Sequence, residues 1–119
     1  MSDAERVSWE HLKTRVPSEA EREALRVELV GRALAVARDG WEAHRGEWSD
    51  GEVAGVALLL GEAGVLEEVE EVEGSVLTRF AGQLYGFHGA RKDIEAGLVG
   101  TQACFAAARA EVDTRGLDG

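Results

Sequence analysis

Residues 52–63 read EVAGVALLLGEA, a stretch that is apolar on nearly every side of a helical projection. A surface helix keeps a polar face, so a segment without one belongs inside an assembly of other helices. Ser49 and Glu52 at its start match the S-x-x-E capping box. In that arrangement the Ser oxygen accepts an otherwise unpaired first-turn amide while the Glu carboxylate reaches back to the Ser amide. Gly61 and Gly64 supply left-handed terminating positions. The expectation is a short apolar central helix enclosed by the rest of the chain.

Upstream, the same capping signal recurs at Ser2 with Glu5 and at Ser18 with Glu21, which predicts helix starts there. Pro17 disfavours helical geometry at Val16 and separates a first helix, residues 3–15, from a second. The second has a 3–4 spacing at Val27, Val30, Leu34, Ala37, Trp41, His44 and Trp48, widened by Leu25, Leu29, Ala33 and Val36. That is one apolar face. Gly40 and Gly46 weaken a helix interior by about 1 kcal/mol each, so the helix ends near Asp39 or runs on to about Arg45.

Downstream, Leu77, Phe80, Leu84, Phe87, Arg91, Ile94, Leu98, Thr101, Phe105, Ala108 and Val112 form a seam with steps of three and four. Val76 to Phe87 also alternates in the manner of a strand, but the seam continues 25 residues beyond it, farther than strands run. Helix is therefore the preferred reading, with a break near Gly86–Gly89, where interior glycines accumulate. No internal repeat or linker divides the chain. Residues 1–119 are expected to form one all-α domain, a compact bundle of about five helices.

Bulk properties narrow the function. The 119 residues carry a formal charge of -10, which opposes the counterion-releasing contacts that drive nucleic-acid binding and repels anionic membranes. A groove-reading helix after LLLGEAG would present Glu67, Glu68, Glu70 and Glu71 where Arg, Lys, Asn or Gln is needed. Direct nucleic-acid binding and membrane association are thus not expected. The longest apolar run, Val53 to Leu60, is far short of the ~20 residues that span a bilayer. The opening MSDAERVSW has no basic and apolar secretion signal, and the lone Cys104 forms no internal disulfide, so the expected compartment is the cytoplasm.

Chemistry-bearing motifs are sparse. His11, His44 and His88 lack a second ligand at helical metal spacing. Neither phosphate-cradling glycine motif occurs, and no nucleophile elbow is present. No catalytic residue, cofactor or metal is therefore assigned, and the chain is read as a non-enzyme. His44 is read as a half-buried histidine satisfied by a neighbour. Arg91 interrupts the apolar seam and requires an acidic partner or an escape to solvent.

The densest feature is a run of acids: Glu62, Glu67, Glu68, Glu70, Glu71 and Glu73, with no base between them. Val65, Val69, Val72 and Val76 recur beneath them at helical spacing, as on an ordinary solvated helix. Like charges at i and i+4, such as Glu67 and Glu71, cost stability that a basic partner would relieve. The leading expectation is a small acidic module that binds another, basic protein through Glu67, Glu68, Glu70, Glu71 and Glu73. An inhibitor of the immunity, antitoxin-like or phage-encoded kind would act in this way. Two alternatives stand beside it: a homo-oligomer built on the small faces Gly82/Gly86 and Gly97/Gly100 with Ala103, Ala107 and Ala110, and an enzyme or small-ligand binder with a pocket near Tyr85, His88 and Arg91.

Overall fold

The structure, a computed structural model, describes residues 16–118, with side chains to residue 116. The expected helix 3–15, its Ser2–Glu5 cap and His11 lie outside the described residues. Within them the chain is all-α: α1 (Glu19–Asp39), a 3₁₀ turn (Trp41–Ala43), α2 (Asp50–Leu60), α3 (Ala63–Glu68), α4 (Glu73–Glu95) and α5 (Val99–Asp118). Both capping boxes that fall here form. The Glu21 amide donates to Ser18 Oγ at 3.1 Å and the Glu52 amide to Ser49 Oγ at 3.2 Å, each with the reciprocal bond from the Ser amide.

The centre of the bundle is α2, as its sequence demands. Val53, Ala54, Val56 and Ala57 are at most 1% exposed, and α2 touches α1, α3, α4 and α5. Leu29, Val30, Ala33 and Val36 of α1 close one side of the core, with Val76, Leu77, Ala81 and Leu84 of α4 and Phe105, Ala108 and Val112 of α5 closing the others. Gly55 permits the approach of α4: a Cβ there would stand 2.8 Å from Phe80 Cζ. The Phe80 ring is itself braced edge-on against Phe105, with centroids 5.0 Å apart.

Where the structure departs from the sequence reading, the cause is backbone geometry. Helix α1 stops at Asp39, the shorter of its two expected extents, because Gly40 leaves helical space at φ 86°. Gly61 ends α2 in the left-handed conformation at φ 73°. Gly64 terminates nothing and lies inside the short α3. The valines at 65, 69, 72 and 76 do not share one helix, since the chain turns after Glu68 and Glu70 adopts φ 57°. The expected break in the long seam falls at Gly86, where φ 77° and ψ -176° kink α4. Between that kink and Gly97 the seam no longer faces the core: Phe87, Arg91 and Ile94 are exposed, and Ala90 is buried in their place, whereas Thr101, Phe105, Ala108 and Val112 of the same seam are buried in α5. A second reversal at Gly97 and Leu98, both with positive φ, folds α5 back. No helix among the described residues is long and apolar enough to cross a membrane.

Candidate docking groove

The acid run begins where α2 is pinned. Arg109 of α5 donates from Nη1 to the Leu59 carbonyl at 3.0 Å and from Nε to Asp113 at 3.0 Å, so an otherwise unpaired helix-end carbonyl has a charged donor. After the Gly61 cap, α3 packs principally on α2. The following turn is tied by the Glu71 amide, which donates to the Leu66 carbonyl at 3.0 Å. Val72 then enters α4 as an extended N-cap residue.

Within this frame the six acids do different things. Glu71 is half-buried and paired with Arg79 of α4. Glu68 pairs with Arg45. Glu62, Glu67, Glu70 and Glu73 are exposed and make no ion pair among the described residues. The five residues expected to bind a partner therefore divide into two ion-paired acids, the exposed Glu68 and the half-buried Glu71, and three exposed acids without an ion pair among the described residues, Glu67, Glu70 and Glu73. Val72, at 67% exposed, stands among them.

Next to this projection lies a groove of about 220 Å³, lined by Leu58, Leu59, Leu77, Phe105 and Ala106, with Glu73 and Gln102. Leu59, Leu77 and Phe105 are buried floor, whereas Glu73 and Gln102 are exposed rim. Periodicity had no means of revealing it, because its floor comes from the end of α2, the start of α4 and the middle of α5. The one sequence signal is that the acid run is bracketed by Leu58–Leu60 and Leu77. Chemically, the arrangement offers an apolar slot for a side chain and a carboxylate, Glu73, beside it for a cation, the elements of a helix-in-groove contact.

The other expected sites assemble differently. His44 is satisfied as anticipated, with Nε2 2.8 Å from Asp39 Oδ2 and its ring stacked on Trp48 at 5.2 Å. Tyr85, His88 and Arg91 are not brought together: the depression beside Tyr85 is lined by Gly89, Lys92, Asp93 and Ala96, while His88 and Arg91 face solvent. The Tyr85 hydroxyl lies instead against α5, where a Cβ on Gly100 would stand 2.5 Å from it, and burial together with the nearby Asp93 charge raises its pKa. Arg91 takes the solvent escape and has no ion pair among the described residues.

The small faces are also split. Gly100 serves intramolecular packing, whereas Gly82, Gly97, Ala103, Ala107 and Ala110 are exposed. A second cleft, of about 240 Å³, holds Arg32 and Arg79, but Arg32 already lies between Glu28 and Glu52, and Arg79 is taken by Glu71. Burial pushes the Cys104 thiol up, away from the reactive thiolate. No group of three metal-ligating side chains occurs among the described residues.

Comparison with protein-family models, with curated proteins and with solved structures returns no match to this chain.

Proposed function

We propose that this protein is a non-enzymatic binding module that captures a basic segment of another protein in the groove between α2, α4 and α5. The observation that carries the reading is the juxtaposition of an apolar floor, Leu59, Leu77 and Phe105, with an exposed carboxylate on the rim, Glu73, which ends the acid run holding the solvent-facing Glu67 and Glu70. An exposed apolar residue, Val72, adjacent to Glu73 in the chain, adds the apolar contact that charge alone lacks. Charge brings a basic partner in and sets its register, while apolar burial holds it. Blocking a basic surface in this way is how an inhibitor or antagonist would act. A cytoplasmic setting accompanies this reading.

The test is capture of a partner from native-host lysate by the tagged chain, eluted along a salt gradient. Wild type should retain a basic protein that moderate salt releases. The Glu67→Lys/Glu70→Lys/Glu73→Lys variant, with its helicity checked by circular dichroism, should lose it. Equal retention by the variant, at the same salt, would overturn the proposal.

A further inference from the structure

The chain itself carries a surface of the kind this groove would take. Past the Gly86 kink, Phe87 and Ile94 are 55% and 43% exposed and lie seven residues apart on one helical face, with Arg91 between them. Neither Arg91 nor Lys92 makes a side-chain ion pair or hydrogen bond among the described residues, whereas Arg26, Arg32, Arg45 and Arg79 are all held by carboxylates. In a chain of net charge -10 these unpaired cations sit beside an exposed aromatic ring. The groove of about 220 Å³ exceeds the roughly 150 Å³ in which a benzene ring is accommodated.

Helix α4 thus carries complementary ends. Its first residue, Glu73, is groove rim; Arg91 lies beyond the Gly86 kink, in the second segment of the same helix. The two surfaces lie on opposite sides of that kink along the chain. We infer that the occupant of the groove is a second copy of this chain, with the Phe87–Arg91–Ile94 face of one molecule seated against the Leu77 and Phe105 floor and the Glu73 rim of the next, beside the solvent-facing acids that precede Glu73 in the chain. Such a contact is heterologous, head to tail, and propagates unless the rotation between copies closes a ring. The inference rests on the groove reading above and replaces the foreign basic protein with the Arg91–Lys92 face of a second copy as the groove's occupant.

Sedimentation velocity on the full chain tests it. Wild type should gain mass with concentration at low salt and lose it at high salt. Two variants neutralise one end each: Glu67→Gln/Glu70→Gln/Glu73→Gln and Arg91→Ser/Lys92→Ser. Each alone should sediment as a monomer, and their mixture should form a one-to-one dimer and nothing larger, because only one intact pair of ends remains. Wild type that stays monomeric from micromolar to millimolar concentration at low salt overturns the inference, as does assembly that both variants retain. The groove reading is judged separately: a monomeric wild type that still captures a foreign basic protein through the three glutamates leaves it standing, and a monomer that captures none removes both.

Discussion

Asp93, near the end of α4, caps the helix that follows it: one carboxylate oxygen accepts the Thr101 hydroxyl at 2.6 Å and the Thr101 amide at 3.0 Å, and the other accepts the Gly100 amide at 2.8 Å. Thr101 is fully buried. Burial works to raise the Asp93 pKa, but the hydrogen bonds from Thr101 and Gly100 outweigh it and hold the carboxyl below its ordinary value. The α4–α5 hairpin, and with it the placement of Phe105 in the groove, depends on this pair.

Replacing Asp93 by Ala should destabilise the fold by about 2 kcal/mol, and Thr101→Val by about 1 kcal/mol, as urea denaturation would measure. Because the folded pKa of Asp93 is depressed, its contribution is complete above the unfolded carboxylate value near 3.9 and fades as pH falls through the folded value. The Asp93→Asn variant should therefore lose less stability on acidification than wild type does. An identical acid limb for the two proteins would contradict this role.

The contact between Gly55 and Phe80 makes a second prediction. In an unencumbered helix Gly→Ala gains about 1 kcal/mol. Here the new Cβ would stand 2.8 Å from a ring already braced by Phe105, so Gly55→Ala should lose about 1–3 kcal/mol through overpacking. Adding Phe80→Leu should recover part of that loss in a double-mutant cycle, whereas additive effects would count against the contact.

Asp39 is held by the Arg38 guanidinium first and by His44 second, which together lower its pKa to about 2. Its contribution to stability is present above the ordinary carboxylate value and is lost as pH drops toward 2. Side-chain NMR titration should find its midpoint there, and Arg38→Ala should move it up. A wild-type midpoint at the ordinary Asp value would show that the pairing does not hold in solution.

Glu70 separates stability from binding. Its left-handed φ of 57° is unfavourable for a residue with a Cβ. Glu70→Gly should raise stability by about 1 kcal/mol while removing one charge of the exposed acid run. On the groove reading, partner affinity falls by about twofold to fivefold, corresponding to ~0.5–1 kcal/mol for an exposed charge. A variant that is more stable and binds as tightly as wild type would exclude Glu70 from the contact.

Local signals in the sequence carried the architecture well where they depend on adjacent residues. The Ser18–Glu21 and Ser49–Glu52 caps, the buried character of α2 and the break at Gly86 are all written in short stretches. Longer patterns misled wherever a positive φ reset the helical phase. The seam through Phe87, Arg91 and Ile94 points outward after Gly86, and the valines at 65, 69, 72 and 76 lose their common face at Glu70. The acids of the candidate site were visible as a run, but their division into paired and unpaired depends on Arg45 and Arg79 approaching from other segments. The groove floor was not visible, because Leu59, Leu77 and Phe105 converge only in three dimensions.

The groove as a protein-docking site is tested most directly by photo-crosslinking in the native host, with benzoylphenylalanine placed at Val72, next to the rim residue Glu73, and at Ala110 on the exposed side of α5. The account predicts a crosslinked product from position 72, absent from position 110 and abolished by Glu67→Lys/Glu70→Lys/Glu73→Lys, with mass spectrometry locating the attachment in a basic, apolar segment. If that segment is residues 87–94 of this same chain, the partner is a second copy. Equal crosslinking from both positions, or none from position 72, would contradict the account.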